Sequence, residues 1–195
     1  MFNRRSNKSS LSLAGFALPA IYCLYLQGNT GKGTLNPKAG QGRPHFVYSY
    51  SACMAEGMAA GETGNVEVTD YTGAYDIGKA INPRLVEGQI EGGIGMGGGI
   101  CVAGRDRRQG IIQDLGLEDF LIPRVLDMPP ITPIIGEHEN RSGPYGMKGI
   151  GEMGNIPSAP AIVNAIATAC DGRVRALPAD PEKTFRAILK GGYPR

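Results

Sequence analysis

Between Phe46 and Glu56 apolar side chains fall on every second position, with Phe46, Tyr48, Tyr50 and Ala52 sharing one side of the chain. A period of two is the signature of a half-buried strand, and it predicts these four residues as the packed face. The turn residues Gly61 to Gly64 follow, and Val66 and Val68 then mark a second strand near Asn65 to Thr72. Ile131, Ile134 and Ile135 predict a third strand, which leads towards residues 143–154. Helical signals lie between and after these strands. Asn82-Pro83 has the form of a helix start, with Asn as N-cap and Pro where a missing N–H costs nothing. Ser158 to Ala169 predicts a helix capped by Ser158 and stopped by Gly172, with Ile162, Val163 and Ile166 apolar. Asp180-Pro181-Glu182 opens a last helix, and Gly191-Gly192 ends it. From Leu115 to Met128 the chain reads as a short helix or turn, closed by Pro129-Pro130, with Phe120, Leu121, Val125 and Leu126 for the core. The expected fold class is α+β, with mixed strands and helices.

The head of the 195-residue chain differs in kind. Arg4, Arg5 and Lys8 precede an apolar run from Leu11 to Leu26, in the charge-then-apolar order of an export leader. Ser12, Gly15 and Pro19 interrupt the run, which falls short of the roughly 20 residues that span a bilayer, so no membrane span is expected. A signal, a buried hairpin and a misread start fit this stretch equally. The chain therefore divides into a head, residues 1–29, and one domain, residues 30–195. The expected compartment is the cytoplasm, or the periplasm if the head is an export signal. Residues 28–34 imitate a phosphate loop, but Gly33 stands where Ser or Thr must follow the lysine, so the segment reads as a linker.

A net charge of +2 from well-mixed signs leaves no electrostatic footprint for nucleic acid. Cys23, Cys53, Cys101 and Cys170 are scattered, and His45 and His138 are the only histidines. Protein-ligated zinc or iron–sulfur sites need clustered thiolates or imidazoles, so no metal ligand set is assigned and the thiols read as small core residues. Glycine does change the picture, since 30 of 195 residues is about double the usual share of roughly 7%. The excess gathers at 88–99 and 143–154. Gly88, Gly92, Gly95 and Gly99 fall on one helix face, and packing or ligand contact has to offset the roughly 1 kcal/mol that each costs relative to Ala. Gln89 beside the stripe can both donate and accept hydrogen bonds; without the stripe it would read as an ordinary exposed helix residue.

Residues 143–154, Gly-Pro-Tyr-Gly-Met-Lys-Gly-Ile-Gly-Glu-Met-Gly, place the single carboxylate Glu152 in a loop with five glycines among twelve residues. A loop short of Cβ atoms lets backbone N–H groups and one side chain come up against a ligand. The alternative is a solvated turn with an incidental acid.

Three segments, in order, resemble the molybdopterin-binding large subunit of the xanthine dehydrogenase and aldehyde oxidase family of molybdenum hydroxylases. They are residues 76–83 (Asp-Ile-Gly-Lys-Ala-Ile-Asn-Pro) with 86–93; residues 118–123 with Asp127-Met-Pro129; and residues 143–152 with Pro157-Ser-Ala-Pro-Ala161. The resemblance covers roughly residues 30 to 190 and corresponds to the carboxy-terminal portion of that subunit. It implies a molybdenum-molybdopterin cofactor and oxidative hydroxylation of a small aldehyde or N-heterocycle with oxygen derived from water. It also implies Glu152 as the catalytic base, Gln89 as a cofactor contact, and Gly149 and Gly151 as the residues that shape the loop. A water-poor loop would suit the base by raising its pKa, and Lys148 would oppose this if it came close. Met96 stands where the family usually carries a second glutamine. The implied partners are the remaining molybdopterin-binding portion and the iron–sulfur and flavin (FAD) domains or subunits. A chain of this extent would be inactive without the rest of the catalytic subunit.

Two other readings compete. A fold-keeping chain that binds no cofactor would serve assembly alone. A dinucleotide-binding module would use Gly149, Gly151 and Gly154 with Asp171 downstream, but Pro157 and Pro160 delay the helix that its fingerprint requires.

Overall fold

The computed structural model describes residues 10–13, 36, 38–41, 47–103, 107–108, 111–112, 116, 122–141 and 143–191. Phe46, Phe120, Leu121, the 28–34 linker and nearly all of the apolar head lie outside these residues. Four strands form a mixed sheet in the order β1 (Ser10–Leu13), β2 (Tyr50–Ala59), β3 (Val66–Asp76), β6 (Ile131–Gly136). The first three run antiparallel to their neighbours and β6 lies parallel to β3. A two-residue pair, β4 (Arg107–Arg108) and β5 (Ile111–Ile112), stands apart. Helices α1 (Pro83–Ala103) and α2 (Ser158–Cys170) cover one side of the sheet, and α3 (Pro181–Gly191) packs on α2. The α+β expectation holds.

The side of β2 that meets the helices is the opposite of the one its aromatic residues predict. Ser49, Ser51, Cys53 and Ala55 are buried, whereas Tyr48 and Ala52 face out and Tyr50 is 54% exposed. Small side chains let α2 lie close to the sheet, so the bulky residues occupy the far face. On β3 the inward residues change phase. Val66 and Val68 point to the core, and so do Tyr71 and Tyr75, an odd number of residues further on. Glu56 pairs with Asp70 and Gly57 with Val68, which leaves Thr69 as the extra residue of a β-bulge that resets the alternation.

The helix starts follow their local chemistry. The Asn82 carboxamide oxygen accepts the Leu85 N–H at 3.2 Å, and the Asp180 carboxylate accepts the Lys183 N–H at 2.7 Å. Ser158 departs from expectation. It is the first residue inside α2, Pro157 holds the cap position, and the helix stops on Asp171 in the left-handed conformation rather than on Gly172. Val125 and Leu126, placed in the core by their hydrophobicity, sit on a short 3₁₀ turn and are 89% and 92% exposed.

The glycine face of α1 is also displaced. A methyl group added at Gly88 or Gly92 would meet nothing within 4 Å. The positions that need glycine are Gly93, against the backbone of Gly154 and Asn155, and Gly97, against Asn155 and Ser158. Gly95 is in ordinary contact with the Met128 side chain at 3.5 Å, whereas Gly99 is buried and a Cβ there would stand 2.8 Å from the Pro123 ring. The buried face is therefore Val86, Ile90, Gly93, Ile94, Gly97, Gly99 and Cys101, which keeps Gly99 of the predicted stripe, and the loop that follows Glu152 rests on its Gly93–Gly97 stretch.

Candidate active site

Two of the sequence segments singled out above are braided together. Lys148 N–H donates to the Ile77 carbonyl at 2.8 Å, and Lys79 N–H to the Gly146 carbonyl at 2.9 Å. Gly78 makes the crossing possible: its φ is +66°, and a Cβ there would collide with the Gly146 carbonyl. The Lys148 ammonium donates to Asp76 at 2.6 Å, with both side chains largely buried, and lies 5.7 Å from the centre of the Tyr50 ring. Burial pushes the Asp76 carboxyl up, but Lys148 and the Gly78 and His138 N–H groups outweigh it, and the net shift is downward. Lys148 thus serves Asp76 and not Glu152. Glu137 accepts the Ala80 N–H at 2.8 Å and pairs with Lys79 at 3.1 Å, which together hold its carboxyl below the usual range.

The loop beyond this braid is anchored through its carbonyl groups. Ser49 donates its hydroxyl to Gly149 at 3.2 Å, Gln89 its amide to Gly151 at 2.5 Å, and Ser158 its hydroxyl to Gly154 at 2.6 Å. Asn155 and Ile156 N–H groups both donate to the Glu152 carbonyl, at 3.1 and 3.2 Å, so turns continue to Pro157 before α2 begins. No helix opens inside the glycine motif, and Asp171 caps α2, so the dinucleotide fingerprint lacks its structural context.

Glu152 and Gln89 emerge side by side on an exposed surface, and the open glycines Gly88 and Gly92 continue it along α1. Met96 is exposed on the same helix. Of the sequence-predicted site residues, Gln89 bonds Gly151, the residue before Glu152, and Gly149 anchors the start of the loop. The described residues do not supply the water-poor setting expected for Glu152, because both Gly151 and Glu152 are exposed. The residues that sequence reasoning missed are Ser49 and the loop role of Ser158. Neither hydroxyl stands in a pattern that announces a partner 100 or 4 residues away.

Among the described residues no three His, Cys, Asp or Glu side chains converge as a metal ligand set. Cys53, Cys101 and Cys170 are free and buried, and burial pushes the Cys101 thiol up to about 12. No helix among the described residues is long and apolar enough to cross a membrane.

The sequence profile of the molybdopterin cofactor-binding domain matches residues 14–129, a span that includes α1 and Gln89 and stops short of the Glu152 loop. The chain is 33% identical over 149 residues to a probable xanthine dehydrogenase subunit of Bacillus subtilis, covering 76% of this chain and 20% of that protein. It is 33% identical over 150 residues to the aldehyde oxidoreductase of Megalodesulfovibrio gigas, covering 76% and 16%. Among solved structures, the aldehyde oxidoreductase from Desulfovibrio desulfuricans superposes with a TM-score of 0.70 at 35% identity over 76% of this chain and 16% of that one. Quinoline 2-oxidoreductase from Pseudomonas putida gives 0.69 at 31%, over 76% and 20%. The chain spans a fifth or less of the length of these relatives.

Proposed function

We propose, from the premise that this chain belongs to the molybdopterin cofactor-binding domain family of xanthine dehydrogenase and aldehyde oxidoreductase enzymes, that it forms one wall of a hydroxylase active site and carries its base, Glu152. The observation that supports this is the Gln89–Gly151 hydrogen bond, which joins the cofactor-side helix to the residue next to Glu152 on one open surface. The surface suits such a cofactor on its own chemistry. Gln89 donates one of its amide N–H groups to the loop and keeps its oxygen able to accept, and Gly88 and Gly92 offer backbone without side chains. When bound, the molybdenum-molybdopterin group supplies the electron acceptor for the hydroxylation.

The remaining roles belong to side chains of this protein. Glu152 would take the proton of a water-derived hydroxyl on its carboxylate as that oxygen bonds to an electron-poor carbon of an aldehyde or N-heterocycle, and the C–H bond of that carbon would break with its electron pair leaving to the acceptor. The loop bonds at Gly149, Gly151 and Gly154 hold that carboxylate at a fixed place. Water is excluded by the surface that closes over Gly151 and Glu152, which the rest of the catalytic subunit provides. Iron–sulfur and flavin domains or subunits then carry the electrons away.

The test is Glu152→Gln in the complete enzyme, which keeps size and hydrogen-bonding shape but cannot accept the proton. Molybdenum content should persist while turnover falls by about 10²–10⁴-fold, as for a lost general base. The exposed turn residue Glu62, changed to Gln, is the control. Full molybdenum with a normal rate in Glu152→Gln would remove the base, and absence of molybdenum from the wild-type enzyme would favour a chain that serves assembly alone.

A further inference from the structure

We propose that Ser49 and Ser158 are positioning residues for Glu152, gripping its loop at the two ends while Gln89 grips the middle. The proposal rests on Glu152 being the base. Both hydroxyls are buried, Ser49 at 1% exposure and Ser158 at 0%, in surroundings where an unpartnered polar group is costly. Each is satisfied by a carbonyl of the same six-residue loop, Gly149 or Gly154. They arrive from unconnected elements, Ser49 just ahead of β2 and Ser158 at the first residue of α2, so the loop is tied to the sheet at one end and to a helix at the other.

The Ser158 anchor is itself oriented. Tyr71 on β3 donates its hydroxyl to the Ser158 oxygen at 3.4 Å, and a hydroxyl that accepts from one side has its proton to give on the other. The Gly154 carbonyl receives it at 2.6 Å. Gly154 also lies flat on Ile90 and Gly93 of α1, so the exit of the loop is fixed in two directions. Between the anchors, the Glu152 carbonyl accepts two turn bonds, which transmits the fixed ends to the residue whose carboxylate is exposed. Glycine gives this loop no stiffness of its own. The grip has to come from outside it, and these two serines with Gln89 supply it.

The experiment compares Ser158→Ala, Ser49→Ala and Tyr71→Phe in the complete enzyme. Amide hydrogen exchange is followed at Met153, Asn155 and Ile156, whose N–H groups close the turns around Glu152. Removing either serine hydroxyl should speed exchange there by about tenfold or more, by the loss of one buried hydrogen bond and the orphaning of its carbonyl. Tyr71→Phe keeps the Ser158 hydroxyl and removes only the donor that orients it, so exchange in the loop should rise by less than in Ser158→Ala. Turnover of benzaldehyde and of quinoline with a dye acceptor is measured on the same samples. A misplaced base should lower kcat by roughly a hundredfold with KM and molybdenum content held. Ser158→Ala and Ser49→Ala with wild-type loop exchange, or with fast exchange and an unchanged kcat, would overturn the proposal. Glu152→Gln run alongside separates the two ideas. A fully active Glu152→Gln enzyme sinks the base, whereas an inactive Glu152→Gln beside fully active serine variants sinks only the grip.

Discussion

The displaced glycine face of α1 makes a prediction whose sign differs between neighbouring residues. At Gly97, a new Cβ would stand 2.6 Å from the Asn155 carbonyl oxygen, 2.7 Å from the Ser158 Cβ and 2.8 Å from the Asn155 side-chain oxygen. Real Cβ atoms essentially never come within 3.0 Å of such neighbours, so either the helix or the loop must move. Overpacking of this kind costs about 1–3 kcal/mol. Since one obstacle is backbone, the upper half of that range applies, and the better helix propensity of Ala returns about 1 kcal/mol. Gly97→Ala should therefore lose about 1–2 kcal/mol, or about 2–8 °C in Tm for a chain of this size. At Gly92 the same methyl meets open space, and only the propensity remains. Gly92→Ala should gain up to about 1 kcal/mol. Urea denaturation followed by far-ultraviolet circular dichroism reads both numbers from the midpoints at constant slope. Equal stability of the two variants, or a Gly92→Ala protein weaker than wild type, would refute the packing assignment of α1.

Three further outcomes follow from the same geometry. Lys148→Met should destabilise the protein by about 1.5–3 kcal/mol at neutral pH, the worth of a hydrogen bond to a charged group. Because the Asp76 carboxyl is held below its ordinary 3.8, the stability it contributes is present above that value and lost as pH falls through the lower folded one. The gap between wild type and Lys148→Met in urea should accordingly close in strong acid, and a gap independent of pH would show that the pair contributes nothing. Asp180→Ala removes the cap of α3 and should cost about 0.5–2 kcal/mol, read as a lower Tm. The chain expressed by itself should carry no stoichiometric molybdenum by elemental analysis, since Glu152 and the Gln89 face are open to solvent.

The parts of this molecule that are legible in its sequence are those with local causes. Asn82-Pro83 and Asp180-Pro181 announce helix starts because a cap and its N–H lie three residues apart in any context. The Gln89–Gly151 bond joins two of the segments that the sequence singles out. What stays illegible depends on which surface meets which. Tyr48 and Tyr50 look like core residues, yet the buried side of the strand is lined by the small Ser49, Ser51, Cys53 and Ala55. The run from Gly92 to Gly99 offers several overlapping stripes, and only the position of the 153–155 turn decides that Gly93 and Gly97 are the ones pressed against loop backbone. Val125 and Leu126 carry apolar side chains outward at a turn, where hydrophobicity alone points inward. The bond between Glu137 and Ala80 spans 57 residues of sequence, and no local pattern announces it.

The bulge at Thr69 has a bearing on how length changes would be tolerated. A regular strand can slide by two residues along its neighbour and keep its faces, but β3 cannot, because its two halves point inward on opposite phases. The strand is keyed to β2 at one place. Everything after the key is metered from it, and the seventh residue beyond Thr69 is Asp76, the partner of Lys148. An insertion in the 60–65 turn would be taken up outside the key, whereas one between Thr69 and Asp76 would shift the end of the ruler and carry the Glu152 loop out of place.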